Sequence, residues 1–272
     1  PIIIVAGEPN SIFLEIFFKT LKKNIKSPLI LIVSKKLLKL QMENLGYKKK
    51  IKLINYEELN NYKLNNKFIN IIDINYNQKR AFDKISKKSK SNINSSFEVA
   101  FKILNSGYTN KFINGPISKK FFLKNRFLGI TEYLAGKTKS KNFAMLIYNK
   151  KLSVSPLTTH LPLKKVSKKI RRKIIIEKVR LINSFFIKDL KKRPNIAITG
   201  LNPHCETVDS FNEDENILKP AIKLLSKSKV KVSGPYAADT IFIKKNRKNY
   251  DVIVGMYHDQ VLTPMKTLFE YD

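Results

Sequence analysis

The 272-residue chain has no tryptophan, one cysteine and three histidines, and its 21 acidic residues face 53 lysines and arginines. Each scarcity excludes something. A lone Cys205 can form no internal disulfide, which argues against an oxidising compartment. No apolar run reaches the ~20 residues needed to cross a bilayer, and the apolar opening at residues 1–6 is too short for a secretion signal. A cytoplasmic, soluble chain is therefore expected. There is no internal repeat, no Pro/Gly/Ser linker, no GxGxxG fingerprint, no phosphate-loop lysine motif and no HExxH. The shortage of acid leaves a formal charge of +32, a field that attracts polyanions. The lysines, however, are spread from Lys19 to Lys266, and no basic–aromatic interleaving marks a nucleic-acid module, so the charge is read as solvated surface.

What is present is an alternation. At 43% hydrophobic residues the chain can bury a sizeable core, in one or two domains. Apolar runs at residues 2–5, 29–33, 50–53, 68–74 and 112–114 read as strands. Periodic segments at 12–21, from Ser34 to near Gly46, and from Ser95 or Ser96 to Gly107 read as the helices between them. Farther on, 143–148 and 152–157 flank the polar pair Asn149-Lys150 and suggest a hairpin. Helix 170–190, strand 196–199, helix 213–225, strand 230–233, a short helix near Asp239, strand 252–254 and helix 260–268 follow. Strands alternating with helices predict an α/β fold with mostly parallel, in part mixed, sheets covered on both faces. A boundary near Asn125 would divide it into residues 1–125 and 126–272.

The three histidines share a context. His160 follows one strand in Thr158-Thr159-His160-Leu161-Pro162-Leu163. His204 follows another in Gly200-Leu201-Asn202-Pro203-His204, and His258 a third in Met256-Tyr257-His258-Asp259-Gln260. Open α/β sheets gather their ligands beyond the carboxyl ends of strands. Neutral imidazole suits zinc and other borderline divalent ions, and three protein ligands leave a position for substrate. Asp239 or Asp259 could support them, although Asp239 could equally be a helix cap. Three unrelated loop histidines remain the alternative. Gly115-Pro116-Ile117-Ser118-Lys119 is a turn that could bring Lys119 to a phosphate, or a rigid turn with a surface lysine. Gly7-Glu8-Pro9 is read as a plain strand-to-helix connection, and Cys205 beside His204 is not expected to act as a nucleophile.

Together with Thr131-Glu132 and with Gly234-Pro235 through Ala238-Asp239-Thr240-Ile241-Phe242, these motifs resemble the 4-hydroxythreonine-4-phosphate dehydrogenases of vitamin B6 biosynthesis, in that family's order. The resemblance covers nearly the whole chain. It implies a homodimer of two-domain α/β/α subunits akin to isocitrate and isopropylmalate dehydrogenases. His160, His204 and His258 would bind one divalent metal (zinc, cobalt, manganese or magnesium), with ligands drawn from both subunits. It further implies NAD-dependent oxidation of 4-phosphooxy-threonine and loss of carbon dioxide to give 3-amino-2-oxopropyl phosphate. Thr131 would bind the substrate phosphate. Lys119 and Lys266 would serve substrate charge or proton transfer, and Asp239 and Asp259 would orient ligands or substrate.

The chain also departs from the family pattern. Its first loop, Val5-Ala6-Gly7-Glu8-Pro9-Asn10-Ser11, has fewer small residues, which is expected to compromise close backbone approach. Ile130 stands where the family has histidine before Thr131, and Val261 where it has glycine, so a different backbone or a crowded site is expected at 261. The family continues past the position of Asp272 through an Asn-Ile-Thr-Leu-Gly-Leu-Pro stretch and an Asp-His-Gly motif that return to the first domain and contact the cofactor. The rival reading is an inactive or repurposed relative that still binds metal or a phosphorylated metabolite.

Overall fold

The computed structural model describes residues 1–123, 127, 129–140 and 142–270. Two compact units emerge, Pro1–Ile130 and Thr131–Asp272. The boundary expected at Asn125 lies outside the described residues.

In the first unit, strands β1 (Ile2–Val5), β2 (Leu29–Val33), β3 (Ile51–Leu53), β4 (Ile69–Asp73) and β5 (Phe112–Asn114) form a parallel sheet in the order β3-β4-β2-β1-β5. Its central strands are continuous β-branched and leucine runs because both faces are covered, and Ile30, Leu31 and Ile32 are fully buried. Helix α1 (Phe13–Thr20) buries Leu14, Phe17 and Phe18, spaced to share one helical face. Helix α2 (Lys35–Asn44) starts at Ser34, whose Oγ accepts the Leu37 N–H at 3.4 Å. Helix α3 (Lys90–Asn105) begins earlier than its serines suggest. Ser96 is buried and its hydroxyl donates to Asn92 O at 2.8 Å, so it is satisfied inside the helix and caps nothing.

The first loop keeps its close approach where it counts. Gly7 has φ +77°, and a Cβ there would lie 2.3 Å from Pro116 O, while the Glu8 N–H donates to that same oxygen at 2.7 Å. Only glycine fits, so the expected loss of close approach does not occur at this residue.

The second unit contains helix α4 (Ile130–Lys137), β6 (Ser153–Thr158), α5 (Arg172–Lys188), β7 (Ile196–Thr199), α6 (Lys219–Lys227), β8 (Val232–Tyr236), the short helices α7 (Ala238–Ile241) and α8 (Lys244–Arg247), β9 (Val252–Tyr257) and α9 (His258–Phe269). Its sheet is parallel in the order β6-β9-β7-β8. Ile175, Val179, Ile182 and Phe186 of α5 pack with Ile196, Ile198, Val252 and Val254 in one core. On the other face Val261, Leu262 and Met265 of α9 meet Val154, Ala197 and Ile253.

Two expectations are corrected here. The hairpin shrinks to a single antiparallel bridge between Ile147 and Val154. The next hydrogen-bonded pair would need an N–H from Pro156, which has none, and the Ser155 hydroxyl takes the Met145 carbonyl at 2.6 Å instead. Pro156 is tolerated because β6 lies at the sheet edge. Val261 neither bends the backbone nor crowds a site. It is fully buried within the continuous helix α9, against Gly255, where a Cβ would come within 2.4 Å of its Cγ1.

Candidate metal and substrate site of the second unit

The strand order decides what comes together. β6, β9 and β7 are adjacent and parallel, so their carboxyl ends share one edge, and each is followed by a histidine. His160 lies just past β6, His258 opens α9 directly after β9, and His204 lies in the turn after β7. Asp239 comes after the fourth strand, β8, in the first turn of α7.

His160 and His258 form a pair, with ring centroids 5.7 Å apart and planes tilted by 36°. Two imidazoles on one ion with bonds of about 2 Å hold their ring centres roughly 5–6 Å apart, so this spacing fits a shared divalent metal. Both Nδ1 atoms face carboxylates. His258 Nδ1 is 2.7 Å from Asp259 Oδ1, and His160 Nδ1 is 3.7 Å from Glu132 Oε2. The donor chemistry therefore fits the metal that the sequence suggests, with Nε2 of each ring left to ligate.

Glu132 was not singled out for a role by its sequence position. It belongs to α4, its Oε1 accepts the Thr159 hydroxyl at 2.6 Å, and its Oε2 is buried with no hydrogen-bond partner among the described residues. Behind it, Lys178 of α5 donates to Leu157 O at 2.8 Å and lies over the Phe143 ring. Burial lowers the pKa of this ammonium, and the negative Glu132 opposes the shift.

The His204 turn is held from below. His204 and Cys205 have φ of +55° and +64°, left-handed values that cost a side chain of this size on the order of 1 kcal/mol each. Asp214, fully buried, compensates by accepting the N–H groups of Leu201 at 2.8 Å and Asn202 at 3.1 Å, and the Asn202 side-chain amide at 3.1 Å. Gln260 ties the same turn to β9. Its Oε1 accepts from the Thr199 hydroxyl and the Met256 N–H, and its Nε2 donates to Gly200 O at 2.8 Å. Burial, with Asp214 adding to it, pushes the Cys205 thiol up, away from a reactive thiolate.

The expected residues are thus only partly assembled. Among the described residues no three or more His, Cys, Asp or Glu side chains converge on one point, so a single chain offers the His160–His258 pair and a separate, exposed His204. Asp259 touches His258 as expected. Asp239 is exposed, and since Ala237 occupies the N-cap of α7 without a side-chain bond, the capping role is excluded. Thr131 is half-buried in the first turn of α4, next to Glu132. Lys266 is exposed on α9, and Lys119 is exposed in the first unit, in a single wide turn, Lys119–Leu123. Asp214 and Lys178 carried no sequence signal of their own, since an acid before a helix and a lysine on a helix are ordinary.

Comparisons with known proteins place the chain in one family. The model of the family described as pyridoxal phosphate biosynthetic protein PdxA matches residues 24–271. A 4-hydroxythreonine-4-phosphate dehydrogenase from a Sulfurihydrogenibium species is 36% identical over 273 aligned positions, 97% of this chain and 82% of that protein. One from Wigglesworthia glossinidia brevipalpis is 32% identical over 97% of this chain and 81% of its own length. The crystal structure of the Klebsiella pneumoniae 4-hydroxythreonine-4-phosphate dehydrogenase superposes with a TM-score of 0.83 at 25% identity, covering 99% of this chain and 85% of that one.

Proposed function

The chain belongs to the PdxA family of pyridoxal phosphate biosynthetic proteins, and from that premise we propose that it oxidises 4-phosphooxy-L-threonine with NAD and releases carbon dioxide, giving 3-amino-2-oxopropyl phosphate in the cytoplasm. In this reaction the substrate's secondary hydroxyl carbon gives a hydride to NAD and its oxygen gives a proton to a base. The β-keto acid so formed then loses its carboxylate as carbon dioxide, and the enolate left behind takes up a proton.

One observation carries the assignment: the three histidine motifs follow three adjacent parallel strands at the ligand-gathering edge of one sheet. His160 and His258 would hold a divalent ion, zinc, cobalt, manganese or magnesium, and His204 would complete the set in a homodimer whose subunits share ligands. Bound there, the ion supplies Lewis acidity at the substrate hydroxyl, and NAD supplies the hydride acceptor. Thr131, with its hydroxyl at the start of α4, would bind the substrate phosphate, a role in which Ile130 offers no donor. Lys266 and Lys119 would neutralise substrate charge or carry protons. Asp259 orients His258, and Asp239 would meet polar substrate groups. Among the described residues no helix is long and apolar enough to cross a membrane, in keeping with an enzyme of small phosphorylated metabolites.

The test is NADH formation from 4-phosphooxy-L-threonine and NAD with each divalent metal in turn. Metal-dependent turnover supports the reading. A folded chain that binds metal and gives no NADH would replace it with that of a non-catalytic relative.

A further inference from the structure

Glu132 is the least satisfied charged group in the second unit's site. Its Oε1 is engaged by Thr159, while Oε2 is buried, has no hydrogen-bond partner among the described residues and faces His160 Nδ1 at 3.7 Å. A buried carboxylate oxygen without a donor is costly, and the imidazole N–H at this distance is able to supply one. A small rotation of the ring would bring the pair to the ordinary hydrogen-bond distance of about 2.7–3.2 Å.

We propose that Glu132 is a positioning residue for His160: its buried Oε2 takes the Nδ1–H, which fixes the tautomer whose Nε2 lone pair is free to ligate. Three features hold the carboxylate to this task. Thr159, the residue before His160, binds its other oxygen. Lys178, anchored on Leu157 O at the end of β6, lends it a favourable positive field. The third is the helix itself, since Glu132 lies in the first turn of α4, where a negative side chain is favoured by the N-terminal dipole. His258 has the same arrangement in an exposed form through Asp259, so both imidazoles of the pair are set by a carboxylate at Nδ1. The difference is rigidity. Asp259 is 80% exposed and adjacent in sequence, whereas Glu132 is 18% exposed and comes from another element.

This assignment rests on His160 being a metal ligand, so its test has one readout that needs no metal. Long-range proton–nitrogen NMR correlations distinguish the tautomers of all three histidines in the metal-free chain, at a pH above the imidazole range. His160 is expected as the Nδ1–H form. Glu132→Leu removes the acceptor at similar size, so His160 should lose its hold on the Nδ1–H form and shift toward the Nε2–H form, and Co(II) affinity should fall about 10- to 100-fold. If Glu132→Leu does not fold, Thr159→Val, which loosens the carboxylate without removing it, reads the same two quantities and should give a tautomer mixture. An unchanged His160 tautomer in the folded variant overturns the proposal. A shifted tautomer in a chain that never bound Co(II) upholds Glu132's hold on His160 and overturns only the metal reading.

Discussion

The two units are built alike, each a parallel sheet dressed with helices, yet the loops beyond their strands serve different ends. Beyond β1 the chain folds tightly onto its neighbour: Gly7 has no room for a side chain against Pro116, and Glu8 is buried with its Oε2 accepting the Ser89 hydroxyl at 2.8 Å. Beyond β6, β7 and β9 the chain places imidazoles and sets acids beneath them, the half-buried Glu132 facing His160 and the buried Asp214 holding the turn before His204. The same scaffold therefore closes one edge and equips the other. Chemistry follows the side chains planted at the strand ends, and the fold alone does not distinguish the two.

Substitutions can sharpen or break that contrast. The largest effect is expected from His204→Ala, which should lower turnover by about 10³-fold, about 4 kcal/mol of barrier, in a chain with an unchanged circular dichroism spectrum. Retained NADH formation would remove His204 from the site. Asp214→Asn replaces one acceptor oxygen by a donor facing backbone N–H groups, and should cost about 2–3 kcal/mol in urea unfolding while weakening metal binding. If stability drops and Co(II) affinity stays, the buried acid serves folding alone and the contrast between the edges weakens. Glu8→Gln removes a buried charge whose Oε1 has no donor, and should leave stability unchanged or raise it by up to about 2 kcal/mol. A large loss would show that the first unit's acid has a hidden partner. Lys19→Ala breaks an exposed ion pair with Glu15 and should move the urea midpoint by no more than about 0.5 kcal/mol.

Much of the fold was legible because it depends on local pattern. β1, β2, β5 and β7 have the bounds their apolar runs suggest, and Ser34 caps α2. Each histidine does stand beyond a strand. What the pattern could not carry was pairing. The hairpin failed on one missing N–H at Pro156, a matter of register that only a partner strand reveals. The strand order, with β9 between β6 and β7, is set by how α5, α6 and α9 cover the sheet. For the site, sequence marks which residues can ligate and is silent on which groups aim them. Glu132, Lys178 and Asp214 act across 28, 21 and 12 positions of sequence, counted to His160, Leu157 and Asn202, and in each case the partner lies outside the residue's own element.

A ribosome delivers this chain from its amino end, so β6 and β7 emerge before the strand that belongs between them. Until Val252–Tyr257 arrives, the place between them, roughly 10 Å wide in the finished sheet, has no strand to fill it. One segment then fills it and brings His258 to His160 and Gln260 to Gly200 in the same stroke. A nascent chain thus carries two of its three imidazoles for some time before His258 can meet His160, and the pair exists only once the last strand has closed the sheet.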